Sequence, residues 1–200
     1  MPLSTTLASS SARGFGGLRS FVTAVPDTGV MFPIGMVSVG SAGSANIEFT
    51  SIPGTYKHLQ IRGIANNGEA SGWNNQAMQI NSDTSSSYKV HYVAGNGSSA
   101  SAGISGTDTS INDIFRISAT STGYFGSFII DILDYTSTTK NKTIRSLNGG
   151  DGNGNGWVGL HSGLYYATPA AVTSVKLISS VGNFGQYSSF ALYGIKGEAE

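Results

Sequence analysis

The residues with the sharpest chemical pattern are Asp151-Gly-Asn153-Gly-Asn155-Gly156, which set oxygen-bearing side chains at alternate positions with a glycine at the sixth. That is the first half of a helix-flanked calcium loop. The second half is missing: the twelfth position is Ser162, where a bidentate glutamate belongs, and neither flank reads as a helix. Asp151, Asn153 and Asn155 therefore stand as candidate ligands of a weak metal site. The competing reading is a hairpin turn, because Gly and Asn both tolerate positive φ. In the same stretch Gly154-x-Gly156-x-x-Gly159 has the form of a dinucleotide fingerprint, without the preceding parallel strand, the following helix or the acidic partner that the fold of that motif requires.

Catalytic constellations are no better supplied. His58, His91 and His161 are the only histidines and form no HxH or HExxH pattern, and no G-x-S-x-G elbow marks a nucleophile. A glycan hydrolase would need two carboxylates roughly 5–10 Å apart in a cleft. Asp131 and Asp134 lie in or at the end of an apolar run, where ion pairs with Lys140 or Arg145, or backbone donors, account for them better. The expectation is a protein with no catalytic residue and no cofactor. What the chain does display is aromatic rings among Asn, Ser and Gly: Trp73, Trp157, Tyr165 and Tyr166 above all, with Tyr88, Tyr92 and Tyr187. Such rings stack on sugar faces while neighbouring amides bond hydroxyls, and they serve protein contacts equally well. These four are the candidate glycan or partner contacts.

The elements that must carry these residues follow from composition and period. The chain has 200 residues, 28 glycines, 5 prolines and no cysteine, with 11 basic and 11 acidic side chains and zero net charge. Charged residues are 11% of the chain, against about 25% in an average soluble protein. A neutral chain lacks the clustered Lys and Arg that phosphates or anionic lipids attract, so no nucleic-acid partner is expected. Without cysteine there is no disulfide framework and no thiolate chemistry. No run approaches the roughly 20 apolar residues of a spanning helix, and the N-terminus has no basic start followed by an apolar core. We therefore expect no membrane insertion and synthesis without a secretory signal.

Residues 1–30 read as an extended N-terminal anchoring arm, Ser/Thr-rich and then Gly-rich, with Phe15, Leu18, Phe21 and Val22 too apolar for an inert linker. From residue 31 to 200 the period is that of strands. Ala45, Ile47 and Phe49 alternate with polar residues, as do Leu59 and Ile61. Further strands are predicted at 76–80, 88–94, 111–118, 125–135, 142–147, 157–166, 172–179 and 187–195. The clusters between them, including 81–87 and 95–103, read as loops. Many short strands separated by Gly, Ser and Asn loops predict an all-β protein, an antiparallel β-sandwich of jelly-roll type. The most apolar run, Phe128-Ile-Ile-Asp-Ile-Leu133, is expected at its centre. Because both parities of that run are apolar, cover is expected on both faces, from the opposite sheet and from a subunit or the arm.

Four stretches carry a resemblance. Met1-Pro-Leu-Ser-Thr-Thr-Leu-Ala-Ser-Ser-Ser-Ala-Arg-Gly-Phe-Gly16, Phe49-Thr-Ser-Ile-Pro-Gly-Thr-Tyr-Lys-His-Leu-Gln-Ile-Arg62, Ile130-Asp-Ile-Leu-Asp-Tyr135 and Phe190-Ala-Leu-Tyr-Gly-Ile-Lys196 together resemble a group of tailed-bacteriophage virion proteins described as structural or tail-fibre components. The motifs mark strands and turns of a scaffold, so no functional residue carries over. The resemblance implies a virion protein made in the host cytoplasm, with other tail or capsid subunits as partners. A tail-fibre or exterior appendage module docked through its arm is the leading expectation. A capsid decoration protein on the phage head and a module binding host surface glycans are the alternatives. A homo-oligomer, taken as a trimer from general virion symmetry, is expected.

Overall fold

Alternating apolar and polar residues become strands, and the strands lie in two facing antiparallel sheets. The computed structural model describes residues 30–67, 72–104, 108–118 and 123–197. Within them the strands are β1 (Met31–Ser38), β2 (Asn46–Phe49), β3 (His58–Ala65), β4 (Trp73–Ile80), β5 (Tyr88–Gly95), β6 (Ala100–Ile104), β7 (Ile111–Ser118), β8 (Gly126–Ile132), β9 (Lys142–Asp151), β10 (Gly156–Tyr165), β11 (Val175–Ser179) and β12 (Ser189–Ile195). Among the described residues there is no helix. The arm expectation, with Phe15, Leu18, Phe21 and Val22, lies outside the described residues.

The larger sheet has eight strands in the order β1-β12-β3-β8-β9-β10-β5-β6, and the smaller has four in the order β2-β11-β4-β7. β1 pairs with β12, β2 with β11, β3 with β8 and β4 with β7. The first four strands thus meet later strands in reverse order, like a long two-stranded ribbon rolled into two layers. Two hairpins are added to that ribbon. β5–β6 leaves between β4 and β7, β9–β10 leaves between β8 and β11, and the pairing of β10 with β5 fuses both onto the open side of β8. β6 falls in a stretch whose Ser, Ala and Gly composition reads as loop. Its residues are mostly small and give only a weak alternation, and pairing with β5 is what extends them.

Between the layers the side chains of one parity close a single core. Phe115 of β7 stacks on Phe128 of β8 at 4.1 Å, Phe128 meets Phe190 of β12 at 5.7 Å, and Phe190 meets Phe184 edge-on at 5.0 Å. Gly63 is what lets this row form. It stands in register between Phe190 and Phe128 on the neighbouring strands, and a Cβ there would lie 2.3 Å from the Phe128 ring. β7 carries a bulge opposite Gln76–Met78, with Asp113 at φ 61°, so that both Ile114 and Phe115 are buried and Asp113 is turned inward.

The small sheet is narrower than the large one, and β7, its last strand, lies over β8, β9, β10 and β5. β8 occupies the middle of the large sheet as expected for the most apolar run. Its outer face is not covered by any described residue: Ile129 and Leu133 are exposed. Phe128→Ala should therefore lower unfolding free energy by about 3–5 kcal/mol in urea titrations, whereas Leu147→Ala, on the outer face of the same sheet, should change it by less than about 0.5 kcal/mol. Equal effects would contradict this assignment of inner and outer faces.

Candidate functional site

Where the large sheet overhangs the small one, its inner face is closed by polar chemistry. Arg116 on β7 makes two bonds to Asp113, Nε to Oδ1 at 2.9 Å and Nη2 to Oδ2 at 2.5 Å, and its guanidinium lies 4.0 Å from the Trp157 ring and 5.4 Å from that of Tyr92. His161 of β10 stacks on Tyr92 of β5 at 5.5 Å and is fully buried. Neither of its ring nitrogens, nor the Trp157 Nε1, meets a hydrogen-bond partner of normal geometry. Gly159 keeps the space open: a Cβ there would come within 2.6 Å of His161 Nε2 and 3.0 Å of Trp157 Nε1. Burial pushes the His161 pKa down; the Asp113 charge and main chain oppose that shift and Arg116 reinforces it. The imidazole is consequently neutral at pH 7, and the cluster fills the space between the sheets.

Trp73 and Trp157 are brought to the same end of the molecule by the β9–β10 hairpin. Trp73 starts β4 in the small sheet, yet its Nε1 donates to the Asn155 carbonyl at 3.1 Å and its ring covers Gly126 and Gly150. It ties the two layers together at the rim. Both rings are half-buried. The hairpin itself is an Asx-type turn: Asp151 Oδ1 accepts from the Gly154 N–H at 2.8 Å, Gly152 N–H donates to Asn155 O at 3.0 Å, and Asn153 has φ 63°. Among the described residues no group of three or more His, Asp or Glu is placed to hold a metal ion. Beside the turn lies a groove of about 280 Å³ between this hairpin and the β5–β6 hairpin, lined by Asn96, Asp151, Trp157 and Val158 with glycines of both loops.

Tyr165 and Tyr166 lie at the far end of β10, about 27 Å along the strand from Trp157, and do not join that groove. Tyr165 is buried, stacks on Tyr88 at 4.8 Å and donates to Asp83 Oδ2 at 2.8 Å. Burial raises its pKa, and raises that of Tyr88 to about 12. The Tyr166 hydroxyl donates to the Ser86 carbonyl at 2.8 Å. Asp134 pairs with Lys140 at 2.7 Å and Lys57 at 3.5 Å, and Asp131 with Arg145 at 3.3 Å and Gln60 at 2.7 Å. Both carboxylates are thus held in ion pairs on or near the large sheet.

Sequence reasoning saw the second apolar parity of the 128–133 run but missed its continuation across the neighbouring strands of the large sheet. One register row crosses all eight strands: Met36, Ala191, Arg62, Ile129, Leu147, Leu160, Val93 and Ala102. Ile129, Leu147, Leu160 and Val93 of this row, with Val158 beside them, are 36–56% exposed. They sit on the adjacent strands β8, β9, β10 and β5, on the order of 400 Å² of contiguous apolar surface, a size at which patches on monomers are commonly functional. The next row towards the β8–β9 turn is polar, with Gln60, Asp131, Arg145, Ser162 and His91. The sign of the patch was present in the sequence, since Val158 and Leu160 alternate out of phase with the buried parity of β10.

His161 makes stability pH-dependent with a definite sign. Its folded pKa lies below the ordinary 6.5, so the unfolded chain takes up the proton first, and stability present above pH 6.5 is lost as the pH falls below it, by up to about 1.4 kcal/mol per pH unit. Urea midpoints measured from pH 7.5 to 5.0 should fall in the native protein and change far less in His161→Phe. Parallel curves would show that another group governs this window. The chain matches no family model, no curated protein and no solved structure in the comparisons made with each.

Proposed function

We propose that this chain is a non-enzymatic structural protein of a bacteriophage virion, a tail-fibre or exterior appendage module whose sandwich assembles with neighbouring subunits and whose N-terminal arm, residues 1–30, anchors it. The observation that carries the reading is the apolar row on the outer face of the large sheet, a flat surface suited to another polypeptide and lacking the depth and convergent charges of a reaction site. The resemblance of residues 1–16, 49–62, 130–135 and 190–196 to virion proteins agrees with it. We further read the fold as a jelly roll. In support, leaving out the two added hairpins reduces the sheets to β1-β12-β3-β8 and β2-β11-β4-β7, eight strands wound as one ribbon, an architecture shared by viral capsid and lectin domains.

Position on the particle is the decisive test. Gold-labelled antibody against this chain should decorate tails or appendages, and protein lacking residues 1–29 should fail to incorporate. Label confined to the head would favour a capsid decoration role, and normal incorporation of the truncated chain would remove the anchoring role of the arm.

A second reading is favoured by the groove between the two hairpins: a module that binds host surface glycans. Its walls are Trp157, Asn96 and Asp151, an aromatic edge with amide and carboxylate groups that suit hydroxyls. On a glycan array, native protein should bind envelope sugars and Trp157→Ala should bind them at least about tenfold more weakly, a loss of about 1.4 kcal/mol. An array without signal for the native protein would exclude this reading and leave the structural one intact.

A further inference from the structure

Taking the proposed role in assembly as its basis, we propose that the apolar row on the outer face of the large sheet receives the N-terminal segment Phe15–Val22 of a neighbouring copy of this chain.

The receiving surface is a built feature of the two added hairpins. Of its five apolar residues, Leu147, Val158, Leu160 and Val93 belong to β9, β10 and β5, and only Ile129 belongs to the rolled ribbon. Two shallow grooves lie side by side on it and share Leu147 and Val158. One, of about 330 Å³, is lined by Ser127, Ile129, Leu147, Gly149 and Val158; the other, of about 250 Å³, by Val93, Gly95, Leu147, Val158 and Leu160. Gly149 has no side chain to fill the first groove and stands in register between Ser127 and Val158. An apolar surface that stops at a polar row calls for an elongated, apolar, weakly charged occupant. The segment Phe15-Gly-Gly-Leu-Arg-Ser-Phe-Val22 has that character: four apolar side chains, one charge, and two glycines that let the main chain lie close to a flat sheet.

Length and turn composition together favour a neighbour's segment. Val30 enters at the edge of the large sheet, its carbonyl accepting from the Lys196 N–H at 3.1 Å, next to β1. From there to Leu147 is four strand spacings of about 4.8 Å sideways and five residues of about 3.4 Å along the strands, roughly 25 Å in all. The eight steps from Val22 to Val30 span at most about 26–29 Å when fully straight. They include Pro26-Asp27-Thr28-Gly29, a composition that favours a turn and shortens that reach. On a neighbouring copy the receiving row can lie nearer to Val30, and Phe15, fifteen steps ahead of it, reaches at most about 50–54 Å, so such a copy is within range.

The absence of cysteine permits a direct test on the full chain. Two differently tagged proteins, one carrying Ser20→Cys and the other Ser127→Cys, are mixed and mildly oxidised. A disulfide between the two tags is expected. It should fall to background when Leu147→Lys is added to the Ser127→Cys copy, and equally when Phe21→Ser is added to the Ser20→Cys copy. Leu147 is 55% exposed, so its replacement by Lys leaves the core intact, which an unchanged urea midpoint verifies. Two results overturn the proposal: no link between tags, or a link insensitive to both substitutions. A link between two Ser127→Cys copies with none to Ser20→Cys would mean that two sheet faces stack on each other, and also overturns it. Labelling on particles reports on the virion role separately, so either result can fail alone.

Discussion

An eight-stranded sheet faces a four-stranded one, and most of what distinguishes this molecule follows from that mismatch. At about 4.8 Å per strand the larger layer is roughly 34 Å across and the smaller roughly 14 Å, so the smaller cannot cover it. On the covered part the core is ordinary apolar packing, with Phe49 of β2 against Gly35 of β1 at one side and Phe115 against Phe128 towards the other. Beyond β7 the described residues form no further strand to supply apolar side chains. The overhang is closed instead by long side chains reaching outward from β7. Arg116 extends over Trp157 and Tyr92 while Asp113, turned inward by the bulge, neutralises it. A guanidinium bridges this distance because its stem is apolar and its planar head stacks on aromatic rings. The paired charges are mutually dependent: removing one partner of such a pair leaves a buried charge uncompensated, at a cost of about 3–5 kcal/mol where burial is complete.

The same mismatch links fold to function. The rolled ribbon alone would make a sandwich of two equal layers. The hairpins β5–β6 and β9–β10 widen one layer, and they carry nearly all of the exposed apolar row, both walls of the interhairpin groove, and Trp157. Widening the sheet therefore creates an outer surface whose apolar character has no role in the core. Trp73 fixes that extension to the small sheet through Asn155, so the outer surface is presented by a braced layer and not by a free hairpin. Low overall charge is compatible with the proposed assembly, since an exterior with few charges avoids the repulsion that like charges impose.

Strand chemistry was legible along most of the chain. Ile111–Ser118 reads as a strand with the bounds it has, and Asp151-Gly-Asn153-Gly-Asn155-Gly156 reads as a turn because Asn and Gly accept the left-handed backbone found at Asn153 and Gly154. β6 was not legible, because its small residues form a strand only through hydrogen bonds to β5. The aromatic residues divide for a similar reason. Tyr165 stands beside polar loops in sequence but is buried against Tyr88, and Trp157 and Tyr165 are separated by the length of a strand although both flank loops.

The sequence by itself determined that the chain is all-β, that the apolar run beginning at Phe128 passes through the middle of a sheet, and that cysteine is not part of its chemistry. Those are local properties, written in side-chain period and composition. Only the tertiary structure decided which parity of each strand faces in, that Leu147, Leu160, Val93 and Ile129 share one row, and that His161, Arg116 and Trp157 meet beneath it. Register between strands far apart in the chain depends on the joint packing of both layers, and no single segment contains that information.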